Sequence, residues 1–121
     1  MSEAGIWIAW GLPSRGRETK ALDALRRARG YLQELTDDGR IERFDITILR
    51  PQSTELGGFV LIQGSRGQID TLRRAADFER WATGVQLVAD RVTFVDGWVG
   101  QGIDHAIKLY EDALRQAGLT D

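Results

Sequence analysis

The chain of 121 residues contains no cysteine, one histidine and one methionine. Without cysteine there is no disulfide framework, no thiolate zinc site and no cysteine nucleophile. A single histidine is too few for a histidine-based metal cluster. The sequence therefore predicts no bound metal and no cofactor, and any chemistry has to rest on other residue types.

Long hydrophobic runs and a strong charge imbalance are missing as well. No apolar run approaches the roughly 20 residues that span a bilayer, and "MSEAGIW" at the start lacks the pattern of a secretion signal. The net charge of −2 gives no overall attraction to nucleic acid. With 42% hydrophobic residues, the composition is typical of a globular protein. We expect one domain over residues 1–121, a cytoplasmic location, no membrane partner and no nucleic-acid partner.

What the sequence does contain is a regular succession of strand and helix patterns. Residues 6–10, "IWIAW", predict a short buried strand, and residues 18–36 carry apolar side chains at helical spacing. Apolar and polar residues alternate in "RFDITI", which predicts a strand with one apolar face. "FVLIQG" is apolar on both faces and predicts a central strand. A helix over about 68–82, a strand centred on 91–96 and a helix over about 103–116 complete the order.

Each predicted helix has an apolar stripe that should face a core. In the first helix the stripe consists of Ala21, Leu25, Ala28, Leu32 and Leu35. The second helix is expected to turn inward Ile69, Leu72, Ala76 and Trp81. The last helix is expected to bury Ile103, Ala106, Ile107, Tyr110 and Leu114.

The order of elements is βαββαβ followed by a C-terminal helix. It is typical of an α+β, ferredoxin-like domain, in which two helices cover one face of an antiparallel four-stranded sheet. That arrangement leaves the other face of the sheet bare. A partner subunit, a ligand, a nucleic acid or the extra helix has to cover it.

The stretch "GLPSRGRETK", residues 11–20, lies between a predicted strand and a predicted helix, where a phosphate-binding loop would lie. Its glycines have the Walker spacing, which next requires Lys and then Ser or Thr. Arg17 and Glu18 stand there instead, and Glu18 puts a carboxylate where a hydroxyl would hold magnesium. We interpret the stretch as a turn shaped by Pro13 and Gly16, with Glu18 complementing the positive end of the helix.

Two further features suggest a cofactor site or a proton-transfer residue, and the sequence supports neither interpretation. "GWVGQG", residues 97–102, reverses the glycine spacing of the dinucleotide fingerprint, so we expect a flexible loop. His105 has a side chain suited to proton transfer near neutral pH. It lies nearly opposite the apolar stripe of its helix, which predicts a surface or interface histidine.

RNA-recognition modules share this order of elements and stack bases on aromatic residues of the bare sheet face. Trp7 lies at the stacking position of the first strand. In "ELGGFVLI", however, Glu55 replaces a basic residue and Gly57 occupies one of the two stacking positions, which leaves Phe59 alone. We therefore expect no RNA partner and interpret Trp7 as packing against a neighbouring subunit.

"YLQELTDDGRI" followed by "GGFVLIQGSRGQIDTLRRAADFERW" resembles the dimeric α/β-barrel superfamily, and within it small YciI-like domains and uncharacterised relatives. The similarity covers roughly residues 6–96. It implies two ferredoxin-like subunits packed sheet against sheet, with a ligand cavity in some members. Cofactor-independent oxygenation, haem degradation and small-molecule isomerisation or dehalogenation occur in the superfamily. The histidine of YciI-like domains, about three residues before the tyrosine of "YLQEL", is Ala28 here.

Three functions remain open at this point. The leading hypothesis is a homodimer, paired through the sheet face, that binds a small apolar or aromatic molecule or acts as an accessory subunit. The alternative is a cofactor-independent oxygenase or isomerase in which a buried Asp45 or Asp96 is the base beside an arginine. A closed cavity with a desolvated carboxylate would favour that alternative. The third is a structural or partner-binding module whose contact surface is the basic first helix, with six basic side chains within residues 15–29.

A ligand between the sheets would be held by polar groups of the strands and by tryptophan walls. The predicted ligand-binding residues are Trp7, Trp10, Arg43, Asp45, Thr47, Gln63, Asp96 and Trp98.

Overall fold

A computed structural model of the chain describes residues 2–52 and 55–119. The elements are β1 (Ala4–Trp10), α1 (Glu18–Asp37), β2 (Arg43–Ile48), β3 (Gly58–Gly64), α2 (Arg66–Arg74), α3 (Ala76–Val88), β4 (Thr93–Trp98) and α4 (Gly102–Gln116). The predicted succession of strands and helices is confirmed, with one helix more than expected.

The four strands form one antiparallel sheet in the order β2-β3-β1-β4. This order and the direction of every pair are those of a ferredoxin-like sheet, so the predicted α+β class is confirmed. The two strands that are apolar on both faces, β1 and β3, occupy its centre, as their sequences predict. In the register Trp7 lies opposite Leu61 of β3 and Val95 of β4.

The hydrophobic core lies on one face of this sheet, beneath α1, α2 and α3. Alternate residues of the central strands point to that face, and its fully buried side chains come from both the sheet and the helices. The buried core consists of Ile6, Ile8, Leu32, Leu35, Ile41, Val60, Ile62, Ile69, Leu72 and Phe78.

The single helix expected over about 68–82 is two helices. Ala75 has an extended backbone (φ −73, ψ 135) and separates α2 from α3. A continuous helix would have turned Ala76 inward, whereas the break leaves Ala76 exposed and buries Phe78. The larger apolar surface of Phe78 is thereby removed from water, which is how tertiary packing overrides helix propensity here. α3 also continues to Val88, beyond the end at about residue 82 that the sequence predicted for the second helix.

The expected burial of the last helix is wrong for the single subunit. Ile103, Ile107 and Tyr110 are 48%, 51% and 68% exposed, because α4 follows the edge strand β4 and lies outside the core. His105 is exposed, as predicted, and its ring contacts that of Trp98 with centroids 5.9 Å apart.

Across residues 2–52 and 55–119, none of the helices combines the length and the apolar character needed to cross a membrane.

Candidate functional site

An apolar pocket of about 290 Å³ lies between the sheet and the two helices α1 and α3. Its floor includes Ile8 and Val60 from the central strands, while Leu25 of α1 and Val85 of α3 form part of its walls. The lining is almost entirely aliphatic and aromatic, and Glu18 is its one ionisable residue among those described. A concave apolar surface of this kind is the usual form of a small-molecule site.

The pocket exists because the apolar stripe of α1 changes in size along the helix. Ala21, Ala24 and Ala28 line the pocket and are only half-buried, although two of them belong to the predicted core stripe. Leu32 and Leu35, one turn and two turns further on, are completely buried. The same helical face therefore fills the core at one end and leaves a space at the other.

The stretch "GLPSRGR" closes one end of the pocket. The Arg17 backbone N–H donates to the Ser14 carbonyl at 2.9 Å, and Gly16 between them has φ +83, so the expected turn is confirmed. The Ser14 N–H donates to the Val88 carbonyl at 3.0 Å. The Arg17 guanidinium donates to the Leu87 carbonyl at 2.6 Å, so the start of α1 is tied to the end of α3.

Trp10, at the end of β1, is held against a pair of glycines. A Cβ on Gly58 would lie 2.7 Å from the Trp10 ring and 2.5 Å from the Thr47 carbonyl oxygen. A Cβ on Gly57 would lie 3.2 Å from the same ring and 2.6 Å from the Gly11 carbonyl oxygen. The sequence "GG" is therefore required for the close approach of this indole, which lines the pocket.

Beyond the pocket, α1 and α3 are joined by a cluster that we name the clamp: Tyr31, Arg40 and Asp77. The Arg40 guanidinium donates to both oxygens of Asp77, at 2.8 and 2.9 Å, and the Tyr31 hydroxyl donates to Asp77 Oδ2 at 2.7 Å. These bonds hold the pKa of the Asp77 carboxyl well below its usual value. Burial, and then the bond to Asp77, raise the pKa of the Tyr31 hydroxyl.

The clamp also positions one wall of the pocket. The Trp81 ring lies between those of Tyr31 and Phe78, with centroid distances of 5.3 and 5.6 Å, and Trp81 lines the pocket. Sequence reasoning missed the clamp because its members are 37 and 46 residues apart and no local pattern links them. The single available signal was a tyrosine beside the apolar stripe of α1, whose hydroxyl requires a partner when it is half-buried.

Five of the eight predicted ligand-binding residues lie on the open face of the sheet, and none of the five lines the pocket. The Arg43 guanidinium donates to Asp45 Oδ2 at 2.8 Å, and the Gln63 amide lies 3.5 Å from the same oxygen. Thr47 and Trp7 share this face, where the Trp7 and Phe59 rings have centroids 6.0 Å apart.

The other three predicted residues lie on the helix-covered face. Trp10 lines the pocket, whereas Asp96 and Trp98 lie on the edge strand β4 and do not. Asp96 is 61% exposed and forms an ion pair with Arg73 at 3.1 Å. The structure therefore separates the predicted set into an open-face group, one pocket residue and two edge residues.

Over the described ranges, 2–52 and 55–119, no group of three or more histidine, aspartate or glutamate side chains could hold a metal ion.

The chain matches no family model, and no curated protein matches it in sequence. Several solved structures share its fold. One is a dimeric protein of unknown function with a ferredoxin-like fold from Bacteroides fragilis, at TM-score 0.63 and 6% identity over 80% of this chain and 96% of that chain. A dimeric ferredoxin-like protein of unknown function from Jannaschia sp. matches at TM-score 0.60 and 13% identity over 80% and 99%. A dimeric ferredoxin-like protein of unknown function from Thermobifida fusca matches at TM-score 0.59 and 7% identity over 80% of this chain and 92% of that chain. At these identities the comparisons establish the fold, and the chain has a ferredoxin-like fold.

Proposed function

We propose that this protein is a homodimer that binds a small apolar or aromatic molecule in the pocket between α1, α3 and the sheet. The observation that carries the proposal is the lining itself, which is aliphatic and aromatic apart from Glu18 at the start of α1. An apolar molecule that enters it leaves water and packs against these side chains.

The size of the pocket limits the molecule. An apolar protein cavity of about 150 Å³ stays dry and binds benzene. The pocket here has about 290 Å³, nearly twice that volume, and its floor and walls include two indole rings, Trp10 and Trp81. A compound with two fused rings, such as naphthalene, matches this space.

Binding is favoured over the oxygenase or isomerase alternative by the surroundings of its two candidate bases. Asp45 is 55% exposed and paired with Arg43 at 2.8 Å, and Asp96 is 61% exposed and paired with Arg73. Neither is a desolvated carboxylate in a closed cavity within the subunit. The one carboxylate in the described lining of the pocket, Glu18, is itself exposed to water, so it is not a desolvated base either.

The homodimer is supported by the open face of the sheet. Trp7 and Val95, which lie opposite each other, are 36% and 46% exposed, and Phe59 and Leu61 adjoin Trp7 on the same face. An exposed apolar sheet face of this kind marks an interaction surface. The three similar structures described above are dimeric proteins, which favours a second copy of the chain as the partner.

The finer resemblance to YciI-like domains stays a proposal, limited to the architecture. Ala28 occupies the position of their histidine and lines the pocket here, so that the same place in the fold is apolar. A cytoplasmic location also stays a prediction.

Equilibrium dialysis against naphthalene tests the binding proposal. We expect saturable binding of one molecule per subunit, and we expect Ala28→Leu to weaken it at least tenfold because three added carbon atoms occupy the pocket. Ala113→Leu, on the exposed surface of α4, is the matched control and should leave binding unchanged. No binding by the wild type, or equal binding by both variants, would contradict the proposal.

Light scattering tests the dimer. A dimer is expected for the wild type, and Val95→Lys should dissociate it because two copies of the charge would be buried in one interface. Ile107→Lys, at a similarly exposed apolar residue of α4, should leave the dimer intact. A monomeric wild type would refute the proposed homodimer, and dissociation by the second variant alone would move the interface to α4.

A further inference from the structure

The described lining of the pocket contains one charged group that the proposed function does not use. Glu18 is the first residue of α1 and the only ionisable residue in the described lining of the pocket. Among the described residues its carboxylate has no hydrogen-bond or ion-pair partner. A carboxylate at the first turn of a helix has favourable electrostatics in any case, but that role does not require it to line a pocket.

The neighbouring cations do not neutralise this carboxylate by pairing with it. The Arg17 guanidinium is directed to the Leu87 carbonyl at 2.6 Å. Arg15 and Lys20 are exposed, and neither belongs to the pocket lining. At the rim of an otherwise apolar pocket, the polar feature offered to a ligand is therefore an unpaired hydrogen-bond acceptor with a negative charge.

We infer that the ligand of this pocket is an aromatic amine, with its ring system among the apolar walls and its ammonium group beside Glu18. This inference rests on the proposed function, since it concerns the same pocket. The two parts of the ligand match the two parts of the site. The rings leave water in the apolar part of the pocket, while the ammonium group remains partly hydrated beside the exposed Glu18 carboxylate. Glu18 is in this account a specificity-determining residue, which favours a donor or a cation and disfavours an anion.

The magnitude of the effect is modest because Glu18 is exposed to water. Exposed ion pairs contribute on the order of 0.2–1 kcal/mol, which corresponds to roughly a 1.4- to 5-fold change in affinity for the amine. Repulsion of an anion is of similar size, so the amine-to-carboxylate affinity ratio should change by roughly fivefold when the charge is removed. The positive charges of Arg15, Arg17 and Lys20 repel the amine and attract the carboxylate, so they reduce the amine-to-carboxylate affinity ratio of the wild type.

The test compares three probes of one shape: naphthalene, 1-naphthylmethylamine and 1-naphthoate, each measured by equilibrium dialysis at pH 7 and low salt. We expect the wild type to bind the amine more tightly than the carboxylate. Glu18→Gln should lower the amine-to-carboxylate affinity ratio by roughly fivefold, with each affinity expressed relative to that of naphthalene for the same variant. Glu34→Gln, an exposed residue of the same helix outside the pocket lining, is the matched control and should leave this ratio unchanged.

The outcomes separate this inference from the proposed function. If naphthalene does not bind, the pocket proposal fails and the inference fails with it. If naphthalene binds but the wild type prefers the carboxylate, or Glu18→Gln leaves the ratio unchanged, the pocket stands and the aromatic-amine assignment is overturned. The preference should also shrink in about 0.5 M salt, where charges more than a few ångströms apart are screened.

Discussion

The helix layer of this protein has two halves that use the same two helices differently. In the anchored half, which we define by the clamp and the buried residues Leu35 and Phe78, the helices are fixed to each other and to the sheet. In the pocket half, defined by residues 18–28 and 85–88, the same helices face a space of about 290 Å³.

The difference between the halves lies in side-chain size and in polar contacts. Large side chains fill the anchored half, and one carboxylate joins α1, α3 and the segment after α1. Alanines of α1 line the pocket half. There the start of α1 is joined to the last turn of α3 by the hydrogen bonds of Ser14 and Arg17. Stability and the proposed binding therefore depend on different parts of one layer, and we expect them to respond to different substitutions.

The largest expected effect concerns two leucines of α1. Leu35→Ala should lower the free energy of unfolding by about 2–5 kcal/mol, because it opens a cavity in a filled core. Leu25→Ala should cost less than about 2 kcal/mol, because that side chain is half-buried beside a space that already exists. Urea unfolding measures both, at one protein concentration because the stability of a dimer, which we propose here, depends on concentration.

In a binding assay we expect the opposite order, with the larger effect for Leu25→Ala. Leu25→Ala alters the pocket wall and should change the affinity for naphthalene, whereas Leu35→Ala, outside the lining, should leave it unchanged under conditions where the variant is folded. Equal losses of stability at the two positions would mean that α1 packs uniformly and that the two halves do not differ.

A smaller effect is expected at the clamp. Asp77→Asn should lower the free energy of unfolding by about 1 kcal/mol, since the pair with Arg40 is charge-assisted and bidentate but partly hydrated. The pKa of Asp77 is lower in the folded protein than in the unfolded chain. Its contribution is therefore present above the unfolded-state pKa of about 4 and is lost as the pH falls through the folded-state pKa.

This pH dependence provides the measurement for the clamp. The difference in stability between wild type and Asp77→Asn should be constant from about pH 5 to pH 8 and should narrow below about pH 4. Asp112→Asn is the control, because Asp112 also pairs with an arginine, at 3.1 Å, but lies on α4, outside the clamp. A pH-independent difference for Asp77→Asn would show that the clamp does not act through its charge.

The smallest effect is expected at two glycines in the pocket-lining helices. A Cβ on Gly30 of α1 or on Gly84 of α3 would meet nothing within 4 Å, and neither residue has a positive φ. Alanine at either position should therefore stabilise the protein by about 0.5–1 kcal/mol, since it removes backbone freedom from the unfolded chain. Thermal unfolding measures this gain.

Gly67→Ala in α2 is the matched control, since its Cβ also meets nothing and α2 does not line the pocket. All three variants should gain stability and keep naphthalene binding. A loss of stability at Gly30 or Gly84 would mean that these helices require the flexibility of glycine at those positions.

The sequence was sufficient to predict the strands of the sheet and the apolar face that covers the core. The alternation of Phe44, Ile46 and Ile48 with polar residues, and the apolar character of β3 on both faces, predicted the strands and the central place of β3. The break at Ala75 was not predictable, because alanine is an excellent helix former and the burial of Phe78 decides the matter.

The pocket was not predictable from periodicity either. The stripe of α1 predicts burial for Ala28 as it does for Leu32, since the pattern records which face is apolar and not whether the opposing surface is within reach. The same limit applies to α4, whose apolar stripe was expected to face the core of its own subunit. Trp10 was predicted as a ligand wall and lines the pocket, but the face of the sheet on which it lies depends on register.

The most direct test of the central claim is a crystal of the protein under xenon pressure, because xenon occupies dry apolar cavities. We expect a xenon atom between Trp10, Leu25 and Trp81, and we expect it to be lost in Ala28→Leu. A pocket that contains ordered water in place of xenon, or one that the side chains of α1 close completely, would contradict the proposed apolar binding site.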